Sequence, residues 1–173
     1  SDGILKGLVT IGDISRSYFE VYDSNILSVA KTRFENIVDT LKAKVVTGDT
    51  TQIVDSGKVV IAAANPDLME QFINKGDIVI LGNRYEAQLC AIEMDARCIV
   101  ICEGAAVSKT IIKVAQEKNC AIIVTDYDTY TVARLINQSI PISYYMMHSE
   151  GLITFKNTDF IEDIQDVMAK KRF

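Results

Sequence analysis

The sequence is short of residues that loosen a chain and of residues that most often hold metals. It has two prolines, nine glycines and one histidine in 173 residues. So little Pro and Gly, beside 49% apolar residues, excludes a disordered or collagen-like chain. His148 alone cannot furnish a histidine-rich metal site. The four cysteines, Cys90, Cys98, Cys102 and Cys120, contain no C-x-x-C pair. That spacing argues against zinc, and reduced core cysteines of a cytoplasmic protein are expected. His148 has no Ser, Cys or paired carboxylate at a catalytic spacing, so no catalytic residue and no metal ligand set are expected in this chain. No apolar run approaches the ~20 residues of a membrane span. Ser1-Asp2-Gly3-Ile4 lacks the basic region of a signal peptide.

Positive charge is also in deficit. Eighteen Lys and Arg face 23 Asp and Glu, a net charge of −5. Nucleic-acid binders gain affinity by neutralising phosphates, so this balance argues against a general nucleic-acid partner. A small phosphorylated ligand held by a few local cations is compatible with it. A chain of this length buries roughly 70% of its unfolded surface and suits one domain, with or without fragments of others.

The middle of the chain alternates short Val/Ile-rich runs with helical patterns. Strands are expected over Ala43–Val46, Lys58–Ala62, Ile78–Leu81, Cys98–Cys102 and Ala121–Val124. They lack in/out alternation, as strands buried on both faces do. Helices are expected over Asp67–Ile73 after Pro66, Tyr85–Met94, Val107–Glu117 with a cap near Ser108, and Tyr127–Ile136. This alternation predicts an α/β domain with a mainly parallel sheet over residues 33–141.

The ends read differently. Residues 4–11 are expected to form a strand with no upstream partner, and a helix follows from Asp13. Gly151–Phe155 is expected to be a short strand. Thr158 then caps a helix with Asp159, Glu162 and Asp163 in its first turn. Phe160, Ile161, Ile164, Val167 and Met168 form its apolar face, and Lys170, Lys171 and Arg172 its basic end. One strand and one helix cannot close a core, so two incomplete modules should flank a complete one.

The segment Gly7-Leu8-Val9-Thr10-Ile11-Gly12-Asp13 runs from a strand into a helix. Helix N-termini offer unpaired N–H groups to a phosphate, and a hydroxyl with a carboxylate suits a ribose edge. A plain helix cap by Thr10 or Asp13 explains the same residues. With its flanks, Asp2 to Ile14, the segment resembles the end of a CBS domain, where G-h-h-[ST]-x-x-D opens the last helix. Residues 143–173, from Met146-Met147 through Gly151-Leu152-Ile153-Thr154-Phe155 to the helix ending at Met168, resemble the start of a second CBS domain.

Between them the chain resembles a DRTGG domain. Gly82-Asn83-Arg84 stands for its G-D-R and Cys102-Glu103-Gly104-Ala105 for its T-G-G. Thr125-Asp126-Tyr127-Asp128-Thr129-Tyr130-Thr131-Val132-Ala133 matches its T-x-x-D-T-x-x-x-A ending. Asn83 replaces the acidic residue and Ala105 the second glycine. Structural roles account for these residues: Gly82 and Gly104 turn the backbone after strands, and Asp126 or Asp128 caps a helix.

The order, residues 1–25 as half a CBS domain, 33–141 as DRTGG and 143–173 as half a second CBS domain, resembles the regulatory region of family II inorganic pyrophosphatases. In that family the region sits inside a manganese- or cobalt-dependent catalytic part. The D-H-H-type metal motifs of that part do not occur here. The resemblance implies adenine nucleotides as ligands: AMP and ADP inhibiting, ATP or diadenosine polyphosphates activating. Thr10 and Asp13 would contact ribose or phosphate. Met147, Leu152, Ile153 and Thr154 would line an adenine cleft. Lys170, Lys171 and Arg172 would hold phosphates or complement the helix end. It also implies a homodimer. The alternative is a structural or dimerising module, as in a CBS–DRTGG transcription regulator, with no ligand of its own.

Overall fold

The computed structural model describes residues 4–19, 23–148 and 152–171. Five strands make the central sheet: β2 (Lys44–Thr47), β3 (Val59–Ile61), β4 (Ile78–Leu81), β5 (Cys98–Ile101) and β6 (Ala121–Val124). Their order is β2-β6-β5-β4-β3, with β3 to β6 parallel and β2 antiparallel against β6. The mainly parallel sheet flanked by helices is therefore as the sequence predicts, with one antiparallel edge added.

The inner strands β4, β5 and most of β6 are buried on both faces, with successive residues serving opposite cores, whereas the edge strands β2 and β3 are partly exposed. In β4 and β5, Val79, Leu81, Ile99 and Ile101 face one layer. Ile78, Ile80, Cys98 and Val100 face the other. The first layer is covered by α4 (Pro66–Met69), α5 (Tyr85–Glu93) and α6 (Lys109–Glu117). The second is covered by α2 (Ile26–Val29), α3 (Phe34–Thr40) and α7 (Thr129–Leu135). Burial on both faces is why these strands read as unbroken apolar runs.

Local chemistry starts the helices. Pro66 opens α4, and the Asn65 side chain accepts from Leu68 N–H at 3.2 Å. Ser108 Oγ accepts from Ile111 N–H at 3.2 Å, and Asp128 Oδ1 from Thr131 N–H at 3.0 Å. Four helical segments end on a left-handed residue that is not glycine: Lys31, Lys42, Asp95 and Asn119. In each case the next N–H reaches back five residues, as Ala43 does to Val38 O at 2.9 Å and Cys120 to Ala115 O at 2.8 Å.

The four cysteines are buried and free. Burial raises all four thiols above their ordinary value, Cys120 up to about 12, and keeps them protonated. No described helix is long and apolar enough to cross a membrane.

The ends depart from expectation. The strand expected over residues 4–11 is only β1, Gly7–Leu8. It does have a partner: β7 (Met147–His148) pairs with it antiparallel, Gly7 opposite His148 and Leu8 opposite Met147. Helix α1 runs Ile11–Phe19, two residues earlier than expected. Residues 152–155, expected as a strand, are coil, and Gly151 lies outside the described residues. Helix α8 runs Ile161–Lys171, so Thr158 is too far upstream to cap it. Asp159 there accepts from Lys156 N–H at 2.8 Å.

Candidate functional site

Two places gather the residues singled out in the sequence. The first is the junction of the terminal modules. Thr10 and Asp13 form a reciprocal capping box at the start of α1. Asp13 Oδ2 accepts from Thr10 N–H at 2.8 Å and from Thr10 Oγ1 at 2.7 Å, while Thr10 Oγ1 accepts from Asp13 N–H at 3.2 Å. The cap read from the spacing is thus real, and it fixes the hydroxyl and carboxylate side by side at an exposed helix start.

Pairing of β1 with β7 sets Met147 opposite Leu8, two residues before Thr10. The approach is close because residue 7 is glycine. A Cβ there would stand 2.5 Å from Met147 O and 2.6 Å from Met146 Cγ. Leu152, Ile153 and Thr154 follow in coil, with Ile153 and Thr154 exposed. Lys170 is exposed in the last turn of α8 and has no hydrogen bond or ion pair among the described residues. Lys171 ends that helix, and Arg172 lies outside the described residues. The structure therefore brings Thr10, Asp13 and Met147 into one neighbourhood. Leu152–Thr154 and Lys170 belong to neither that pairing nor that cap.

A cleft of about 350 Å³ opens beside α1. Ile14 and Tyr18 of α1 face Asn137, Gln138, Ile140 and Tyr145 across it. Two tyrosines with two amides could stack and read a planar polar ring. The sequence reading passed over these residues. The only signal was the run of amides and aromatics in Asn137–Tyr145.

The second place is the carboxyl edge of the parallel sheet, where the DRTGG-like segments converge. Here they act mainly as stitches. Arg84 Nη2 donates to Ala64 O at 2.9 Å, tying the loop after β4 to the loop after β3. Gln88 Nε2 donates to Gly82 O at 3.0 Å. Glu103 N–H donates to Tyr127 O at 3.0 Å and Gly104 N–H to Thr125 O at 2.9 Å, zipping the loops after β5 and β6 together. Thr125 Oγ1, buried, donates to Leu41 O at 2.6 Å. Asp128, rather than Asp126, caps α7. No group of three His, Cys, Asp or Glu able to hold a metal occurs among the described residues.

A doubly covered sheet whose post-strand loops carry these segments defines the class. The chain belongs to the DRTGG-domain family, whose profile matches residues 36–139. Its relatives place that domain in a particular setting. The chain is 36% identical over 169 residues to a cobalt-dependent inorganic pyrophosphatase of Clostridium perfringens, covering 98% of the chain and 31% of the relative. It is 31% identical over 162 residues to a probable manganese-dependent inorganic pyrophosphatase of Thermotoga maritima, covering 94% and 29%. Thus it spans about three-tenths of the length of these relatives. Among solved structures it is similar to the CBS and DRTGG domains of the regulatory region of the Clostridium perfringens pyrophosphatase, complexed with the activator diadenosine tetraphosphate. The TM-score is 0.83 at 34% identity, covering 96% of this chain and 72% of that one. The resemblance read from the motifs, a DRTGG domain in a CBS-containing pyrophosphatase regulatory region, is met by these findings.

Proposed function

We propose that this chain is the adenine-nucleotide-sensing regulatory region of a cobalt- or manganese-dependent inorganic pyrophosphatase. The observation that carries this reading is its likeness, over 96% of its length, to a regulatory region holding diadenosine tetraphosphate. In this reading residues 1–25 and 143–173 are halves of two CBS domains, clasped by β1 and β7 around the DRTGG domain. Thr10 and Asp13, locked by their mutual cap, present a carboxylate to a ribose edge and the open N-terminus of α1 to a phosphate. Met147 and the backbone of Leu152 to Thr154 line the adenine cleft of the second site. Lys170, Lys171 and Arg172 reach its phosphates. AMP and ADP inhibit the parent enzyme, and ATP or diadenosine polyphosphates activate it. In this reading the metal and the hydrolytic chemistry belong to the rest of that enzyme, as the names of the metal-dependent relatives suggest.

The chain associates as a dimer in this reading. Phe160, just before α8, and Ile161, its first residue, are 76% and 73% exposed, an apolar face that a second copy would cover.

One observation favours the alternative of a scaffold without a ligand: the Thr10–Asp13 box already satisfies the groups that would bind. Calorimetric titration of AMP and diadenosine tetraphosphate into the chain separates the two. Sensing predicts saturable binding, weakened about tenfold in Asp13→Ala by loss of charge-assisted hydrogen bonds. No heat at millimolar nucleotide would leave only the scaffold.

A further inference from the structure

Between β5 and β6 the chain changes faces. The loop after β5 leads into α6 on the first layer, and the loop after β6 leads into α7 on the second. Where successive connections leave a parallel sheet toward opposite sides, a crevice opens at the carboxyl ends of the strands, and such crevices are the usual ligand sites of open α/β sheets. Here one of about 340 Å³ lies at that point, lined by the Gly104–Val107 loop that stands for the family's T-G-G. It is separate from the terminal modules. The chain enters the domain at the amino end of the sheet, where Ser24 O accepts from Val59 N–H at 2.8 Å and Ser28 Oγ donates to Gly57 O at 3.0 Å.

The lining has two characters. Val46, Val107, Ile112 and Val124 make it apolar, and its charged members are Lys42, Lys44 and Asp126. Both lysines are exposed, and neither side chain has a hydrogen bond or ion pair among the described residues. Two unpaired ammonium groups against one carboxylate reverse, locally, the sign of a chain whose net charge is −5. The loop itself is held rigid. Glu103 and Gly104 are both left-handed at φ 61°, and their N–H groups are bonded to Tyr127 O and Thr125 O. Gly104 is needed because a Cβ there would stand 2.8 Å from Asp126 Oδ1. The stitched loop fixes the position of the Asp126 carboxylate beside the cavity.

We propose that this crevice is a second ligand site, taking a small organic anion. The carboxylate or phosphate of the ligand is held by Lys42 and Lys44. Its apolar body lies on Val46, Ile112 and Val124, and Asp126 excludes a second, distal anion. The site would give the DRTGG domain a signal of its own, independent of any nucleotide held by the terminal modules.

The test is titration of the chain with phenyl phosphate, benzoate and inorganic phosphate, read by amide chemical shifts. Saturable shifts of Ala105, Ala106, Val107 and Val46 are expected with an organic probe at millimolar concentration. The tighter of phenyl phosphate and benzoate tells which anion the lysines prefer. Lys44→Ala and Lys42→Asn, the second chosen because asparagine tolerates the left-handed backbone, should each weaken binding about tenfold. Asp13→Ala should leave it unchanged, so failure of nucleotide binding and failure of this site are told apart. Absence of saturable shifts with every probe would overturn the proposal. So would unchanged affinity in both lysine variants, or equal affinity for inorganic phosphate, which has no body to use the apolar floor.

Discussion

The sheet domain and the terminal modules both carry apolar residues in regular patterns, and these meet opposite fates. In β4 and β5 every residue is buried. In the amphipathic α8 no described side chain is fully buried: Ile161 and Met168 are exposed, and so is Phe160 just before the helix. Ile11 in α1 is 83% exposed. An apolar stripe stabilises a fold only when something covers it. The sheet has its own cover, two helical layers that begin with α2 at Ile26, upstream of the expected boundary at residue 33. The ends do not, and the short β1–β7 pairing joins them to each other.

That contrast is broken most directly by truncating one side chain in each region. Ile123 is fully buried between β6 and the second helical layer. Ile123→Ala should destabilise the chain by about 2–5 kcal/mol, the range for a large-to-small change in a packed core. Phe160→Ala should cost about 0.5 kcal/mol or less, as exposed substitutions do. Urea unfolding of both variants checks the pair. Equal losses would mean that α8 is packed in solution, and the difference between the regions would disappear.

The second test acts on the clasp. Gly7→Val places a Cβ within 2.5 Å of Met147 O, so β1 and β7 must separate. The sheet domain shares no hydrogen-bonded strand with either. The expected outcome is a large change in the amide shifts of Leu8, Thr10 and Met147, with global unfolding unchanged within about 0.5 kcal/mol. In the sensing reading, nucleotide affinity should fall with the clasp. A shared loss of global stability would show that the ends are part of the same cooperative unit.

The same two regions divide what could be read from the sequence. Ile78–Leu81 and Ala121–Val124 were legible to the residue, because strands buried on both faces show continuous apolar runs between turn residues. Helix α3 was missed. Its ends carry none of the usual signals: Arg33 stands at its start with no side-chain cap, and Lys42, not glycine, takes the left-handed stop. The antiparallel sense of β2 was also hidden, since its pairing to β6 is a non-local choice that its own residues do not encode. The β1–β7 pairing joins residues about 140 apart in sequence, and nothing in either strand announces the other. At the candidate sites, the Thr10–Asp13 spacing predicted the cap correctly. The DRTGG-like segments were placed correctly as post-strand loops. What no pattern could supply was that Lys42 of the α3–β2 turn and Lys44 at the start of β2 come to line the same crevice as Gly104.

The smallest expected effect compares the helix caps in acid. Asp128 starts α7 in the sheet domain, accepting from the Thr131 hydroxyl at 2.6 Å and the Thr131 N–H at 3.0 Å. The hydroxyl first, and the amide second, hold its carboxyl below the ordinary value of 3.8. Because the folded value is the lower one, this cap contributes its full stability above the unfolded value. That contribution is lost as pH falls through the folded value. Stability measured by urea unfolding should therefore decline more steeply below about pH 4 in the parent chain than in Asp128→Asn, which keeps an acceptor without a titrating charge. In α1 the roles are reversed, with Thr10 at the cap and Asp13 in the first turn, and the helix sits on a module that the sheet does not cover. Asp13→Asn should therefore leave the acid limb of global unfolding as it is in the parent chain, while shifting the amide resonances of α1 alone. If Asp13→Asn flattens the acid limb as much as Asp128→Asn does, α1 unfolds together with the sheet, and the division between a self-sufficient domain and its dependent ends is wrong.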